Sequence, residues 1–210
     1  IFNGEKYLVK FPDSNRSPKL NVSYINNVFS EYIGSKIFEL IGIKTQKVEL
    51  GYYIQNERKF YVCACKDFTN SNTRLIEFEK LENASLDSEG EKKDLSDIKH
   101  IIDLNTYNID KETFKKFFWD MFIVDALIGN TDRHNGNFGF IKNIKTEELE
   151  IAPVYDCGSC LFSTFTDEKM QEVLENEGLF RDCIKNTSSA VKYKGSKIKY
   201  YDFITKLENE

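Results

Sequence analysis

Residues 129–138, Gly-Asn-Thr-Asp-Arg-His-Asn-Gly-Asn-Phe, place Asp132, Arg133, His134 and Asn137 between an apolar stretch before and another after. Loops held by rigid elements are where reactive side chains tend to sit. A second acid follows an apolar run in Val154-Tyr155-Asp156-Cys157-Gly158. An Asp, an Asn five positions on, a hairpin, and then an Asp-x-Gly meet the needs of phosphoryl transfer. That chemistry takes a carboxylate to orient, and deprotonate, the attacking hydroxyl. It also takes hard oxygen ligands for magnesium, whose charge offsets that of the phosphates. Asp132 is the candidate base. Asn137 and Asp156 complete the catalytic set as candidate magnesium ligands.

Singly, these residues have ordinary explanations. Asp132 alone reads as a turn or cap residue, Asn137 as a loop residue and Lys10 as a solvated strand lysine. Their joint order is the one used by protein kinases: catalytic-loop Asp, Asn five residues later, then the Asp of Asp-x-Gly. In that arrangement Lys10, on the strand Tyr7-Leu8-Val9-Lys10, contacts the α/β-phosphates of ATP, and Glu31 on the following helix holds it. Cys65, Lys66 and Asp67 fall at the hinge, where backbone groups meet the adenine edge. His134 is a general base on residue type alone, or a ring that braces the loop through a backbone carbonyl beside the nucleotide. Arg133 is a solvated charge or a phosphate partner. Asp125 shares a helical face with Phe118 and Phe122, and a buried acid there needs donors, which the catalytic loop could supply.

Positioning these groups requires a scaffold. Asn3-Gly4 is a turn signal, and residues 5–11 alternate as a strand. Phe29, Ile33, Ile37 and Leu40/Ile41 recur at helical spacing over residues 27–41, with Gly42 as a C-cap. Residues 44–55 and 59–66 read as two strands around a turn at 56–58. Residues 69–110 are polar, with short helices and a mobile loop at 87–93. Asp110 caps a helix reaching Leu127 or Ile128, apolar over much of its girth and so central. Residues 138–141 and 149–155 read as strands, and residues 167–210 as helical with loops.

The formal net charge of −5 argues against sequence-independent nucleic-acid binding. No run approaches the roughly 20 apolar residues a membrane-spanning helix needs, so no stable membrane association is expected. Residues 1–10 lack the apolar centre of a signal peptide. The five cysteines read as reduced thiols of a cytoplasmic protein. Cys157-x-x-Cys160 and Cys63-x-Cys65 invite a zinc or redox reading. The chain has only two histidines and no second well-spaced cysteine pair, which weighs against it.

Residues 127–138, 152–159 and Tyr7-Leu8-Val9-Lys10-Phe11-Pro12 together resemble the HipA-like serine/threonine kinases of bacteria, with the likeness running from Lys10 to about Leu161. The Asp-Arg-His-x-x-Asn block is also close to that of phosphoinositide kinases. The resemblance implies an α+β, two-lobed, protein-kinase-like fold. Residues 1–66 would form an N-lobe of antiparallel strands plus one helix, and residues 67–210 a mainly helical C-lobe. It implies ATP and magnesium as cofactors, and transfer of the γ-phosphate to a Ser or Thr of a protein substrate, including the chain itself. Ser14, Ser17 and Ser23 lie in a polar loop near the nucleotide and are candidate acceptors. Export to a host cell is open by resemblance. Residues 1–9 show no Gly-rich phosphate loop before Lys10; the candidates are the Asn3-Gly4 hairpin, the loop of residues 13–19 up to and including Lys19, or a segment upstream of Ile1. A lipid kinase of the phosphoinositide type, and a binding module that keeps the fold without catalysis, are the rival readings. The acidic charge disfavours the first, since such enzymes present a basic membrane-facing surface. The presence of Lys10, Asp132, Asn137 and Asp156 disfavours the second.

Overall fold

The structure, a computed structural model, describes residues 1, 3–12, 26–86, 94–104 and 109–207. Phe2, the serines at 14, 17 and 23, the loop before Lys19 and the loop at 87–93 lie outside the described residues.

Alternation of aromatic and β-branched residues builds the first sheet. Strands β1 (Tyr7–Lys10), β2 (Val48–Gln55) and β3 (Arg58–Lys66) pair antiparallel in the order β1-β3-β2. Asn56 and Glu57 both take positive φ, as a two-residue hairpin turn requires, so Arg58 belongs to β3 rather than to the turn. Helix α1 (Asn27–Ile41) covers one face and buries Val28 against Val48, Cys63 and Cys65. It ends at Gly42, which is left-handed at φ 87° and donates its N–H to the carbonyls of the last turn.

The larger part is organised by α4 (Lys111–Ile128). Asp110 caps it, accepting from the N–H groups of Glu112 and Thr113. Its Phe114, Phe118, Met121, Phe122 and Ile128 enter the main core, joined there by Phe78, Phe138 and Phe140. The other helices of this part are α2 (Phe78–Leu86), α3 (Leu95–Leu104), α5 (Asp167–Glu175), α6 (Glu177–Asn186) and α7 (Tyr200–Leu207). Among the described residues no helix is long and apolar enough to cross a membrane.

Four strand expectations change. Residues 138–141 and 149–155 give β5 (Gly139–Asn143) and only Leu149–Ile151 as β6. A third strand, β4 (Thr73–Glu77), adds to β5 from the polar region, in the order β4-β5-β6. Residue 139 must be glycine: a Cβ there would lie 2.2 Å from the Ile76 carbonyl oxygen. After Ile151 the chain leaves the sheet and runs beside residues 44–46, with Val154 N–H donating to the Lys44 carbonyl at 2.9 Å and Gln46 N–H to the Val154 carbonyl at 2.8 Å. That contact also delays the start of β2 to Val48. Finally, the C-terminal part holds a hairpin, β7 (Ser188–Tyr193) and β8 (Ser196–Lys199), turning at Lys194 and Gly195, both with positive φ. Alternation around Lys-Gly was the available signal for it.

Candidate active site

Lys10 occupies the inner wall of the cleft between the two parts. Its Nζ lies 2.7 Å from Glu31 Oε2 and 2.5 Å from Asp156 Oδ1. Strand β1 delivers the lysine, helix α1 the glutamate, and the loop after β6 the aspartate. Burial works against the Lys10 ammonium, but the carboxylates of Glu31 and Asp156 outweigh it and hold the pKa well above the usual lysine range. Burial likewise works against the Asp156 carboxylate. Lys10, then Arg133 and His134, overcome that and keep its pKa below the ordinary value. Asp156 also has φ 58°, a left-handed conformation that a non-glycine residue adopts only under local constraint.

The residues of the Asp132 loop are held from beneath. Arg133, read from sequence as solvated or phosphate-bound, is instead buried. Its guanidinium contacts both oxygens of Asp125, at 2.9 Å and 3.2 Å. It also donates to the carbonyls of Asn137 (2.8 Å) and Tyr155, and its Nη2 lies 3.5 Å from Cys157 Sγ. One side chain thus ties α4, the Asp132 loop and the Asp-x-Gly segment together. Asp125 does contact the loop as expected, since Asn130 Nδ2 donates to it at 2.8 Å. Asn130 Oδ1 accepts the Asp132 N–H at 3.2 Å, and the Asn130 carbonyl accepts the buried Tyr200 hydroxyl at 2.6 Å.

Asp132 itself is exposed, and its carbonyl accepts from Asn137 Nδ2 at 2.8 Å. The loop is thereby fixed while the Asp132 carboxylate faces outward. His134 braces the loop, but through Nδ1 accepting the Gly136 N–H at 3.0 Å rather than through a carbonyl. Among the described residues, Asp156 Oδ2 and Asn137 Oδ1 have no hydrogen-bond partner.

The cysteine pairs serve packing. Helix α1 rests so closely on the Asp-x-Gly segment that a Cβ on Gly34 would lie 2.8 Å from Cys160 Sγ and 2.9 Å from Cys157 Cβ. Cys160 Sγ donates to the Ser30 carbonyl at 3.3 Å. Burial pushes the Cys157 thiol up to about 12, so it stays protonated and unreactive. All five cysteines are free, and among the described residues no group of three or more His, Cys, Asp or Glu could hold a metal ion.

The cleft encloses about 460 Å³. Lys10, Asp67 and Asp156 line it, together with Leu8, Phe68 and Tyr155. The side chains of Cys65 and Lys66 do not: Cys65 is buried under α1, and Lys66 pairs with Glu5 at 2.6 Å. Hinge backbone is largely engaged as well. Lys66 N–H donates to the Lys47 carbonyl, the Lys66 carbonyl accepts from Gln46, and Asp67 N–H donates to the Lys6 carbonyl. The Asp67 carboxylate accepts from Thr69 N–H and hydroxyl, which turns Phe68 and Thr69 into the cleft. Phe68 belongs to the Lys66-Asp67-Phe68 stretch that the sequence places at the hinge, whereas Tyr155 and Thr69 are not singled out by the sequence.

The HipA-like C-terminal domain family matches residues 2–199. Serine/threonine-protein kinase CtkA of Helicobacter pylori is 40% identical over 214 aligned residues, which cover 100% of this chain and 64% of that protein. The chain thus spans just under two thirds of the length of that relative. The crystal structure of a Helicobacter pylori proinflammatory kinase CtkA matches with a TM-score of 0.85 at 40% identity, covering 98% of this chain and 70% of that one. That likeness shows the two-lobed, kinase-like fold.

Proposed function

The chain belongs to the HipA-like C-terminal domain family, and from that premise we propose that it is an ATP- and magnesium-dependent protein serine/threonine kinase. We place its lobe boundary between Lys66 and Asp67. The observation that carries the reading is the position of Lys10, bridged between Glu31 and Asp156 at the wall of the cleft. A lysine so held presents a fixed positive charge to the phosphates without conformational search.

Each residue then has a role. Lys10 steadies the nucleotide phosphates, and Glu31 fixes Lys10. Asp132, exposed on a pinned loop, orients the acceptor hydroxyl and takes its proton as the oxygen attacks the γ-phosphorus and the bond from that phosphorus to the β,γ-bridging oxygen breaks, releasing ADP. Asp156 Oδ2, from a residue that lines the cleft, and Asn137 Oδ1, both without a hydrogen-bond partner among the described residues, suit magnesium, which binds through few protein ligands plus substrate phosphates rather than in an all-protein cage. When bound, the ion offsets charge on the phosphates. Leu8, Phe68 and Tyr155 supply apolar and aromatic surface for the base. Autophosphorylation is part of the proposal.

The test is transfer from γ-labelled ATP with magnesium to a generic protein substrate, comparing the wild type with Asp132→Asn and Asp156→Asn. Each substitution should lower transfer by roughly 10²–10³-fold while leaving the fold intact by circular dichroism. Label in lipid vesicles but not in protein would replace this reading with a lipid kinase. Nucleotide binding without any transfer would replace it with a non-catalytic module.

A further inference from the structure

Away from the cleft, the β7–β8 hairpin, α7 and α4 enclose a second hollow of about 670 Å³. Its floor is apolar: Trp119 and Phe203 stack with centroids 6.0 Å apart and planes 9° from parallel, and Leu95 and Ile198 line it beside them. Trp119 is 37% exposed, and Tyr193, on the wall, 52%. The rim is basic, with Lys197, Lys199 and Lys206 around Asp202, the one acid among the described residues that line it. Lys199 donates to Asn186 Oδ1. Lys197 and Lys206 are exposed and have no ion-pair partner among the described residues. Three lysines and one acid line the hollow among the described residues, in a chain whose net charge is −5. The basic face is therefore local and runs against the overall composition.

We propose that this groove docks an acidic segment of the protein substrate, seating one of that segment's aromatic or large aliphatic side chains on Trp119 and Phe203. The proposal rests on the kinase reading and names the substrate chemistry. Charge complementarity selects the acid: two ammonium groups without an ion-pair partner among the described residues flank an apolar floor, so carboxylates beside a hydrophobic anchor satisfy both. A concave slot with an apolar floor fits a single extended chain, whereas a bilayer or duplex presents too broad a surface to enter it. The overall charge of −5 also repels a polyanion more than a short peptide. The groove is joined to the catalytic loop. Tyr200 follows Lys199 directly, packs on Phe122, which also packs on Phe203, and donates its hydroxyl to the Asn130 carbonyl.

Trp119 is the only tryptophan, so its fluorescence reports the groove directly. The chain would be titrated, without nucleotide, with a short peptide of phenylalanines set among glutamates, and with the matching peptide of phenylalanines set among lysines. Expected are a saturable change with the first, none with the second, and about tenfold weaker binding in the Lys197→Glu/Lys206→Glu variant. Circular dichroism confirms that the variant is folded. The proposal fails if the glutamate peptide produces no change, or if the double variant binds it as well as the wild type. It also fails if oligodeoxythymidylate or phosphatidylserine vesicles alter the fluorescence and the peptide does not. Because no nucleotide is present, absence of binding in a chain that still transfers phosphate rejects the groove alone and leaves the kinase reading standing.

Discussion

Arg133 and Asp125 face each other inside the large lobe with side-chain exposures of 3% and 1%, joined Nε to Oδ2 at 2.9 Å. The pair stands directly beneath the loop that carries Asp132, and its remaining N–H groups hold the carbonyls of Asn137 and Tyr155. Burial disfavours the Arg133 charge, but the Asp125 carboxylate beside it more than compensates and raises its pKa above the usual arginine value.

Asp125→Ala therefore strands a buried guanidinium. Breaking one side of a buried pair costs about 3–5 kcal/mol. Urea denaturation should show a loss of that size, and the surviving folded fraction should transfer phosphate poorly because the Asp132 loop loses its anchor.

The Lys10–Asp156 contact fixes a pH response. A carboxyl whose folded pKa is depressed, as for Asp156, contributes stability above its unfolded pKa and loses it as pH falls through the folded value. An ammonium whose pKa is raised, as for Lys10, contributes below its unfolded pKa and loses that contribution only at strongly alkaline pH. The gap in urea midpoint between wild type and Asp156→Asn should thus be steady from about pH 5 to 9 and close as the pH drops below about 4. A gap that widens with acid would contradict the assignment.

Gly34→Ala should push α1 away from the Asp-x-Gly segment. The added methyl meets Cys160 and Cys157 at under 3 Å, and overpacking of this kind costs about 1–3 kcal/mol. Because α1 carries Glu31, transfer should fall more than the melting temperature alone explains. Cys160→Ala combined with Gly34→Ala should restore part of both, since it removes the obstructing sulfur.

Tyr200→Phe removes one buried donor and leaves the Asn130 carbonyl short of a partner. A loss of about 1–3 kcal/mol is expected, read by thermal melting, with the secondary structure unchanged.

Much of the candidate site could be read from the chain because it is local in sequence. Asp132 and Asn137 lie five residues apart on one loop, and Asp156-Cys157-Gly158 is contiguous. Helix α4 declared itself by its apolar girth and by Asp110 at its start, since capping and periodicity act over a few neighbouring residues. The family resemblance drawn from these blocks agrees with the family that matches residues 2–199.

What depended on distant partners could not be read in the same way. The charge of Arg133 says nothing about whether it is solvated; only the fold puts Asp125 across from it and two carbonyls within reach. Strand β4 exists because β5 offers it an edge 62 or more residues along, as in the Glu77–Gly139 pair. Cys157 and Cys160 resemble a metal pair in sequence, yet in space they are the surface against which Gly34 packs. The chain alone thus determined which groups can do chemistry. Tertiary structure decided which are desolvated, which are paired and which face the cleft, because burial and long-range hydrogen bonding are properties of an environment rather than of a residue type.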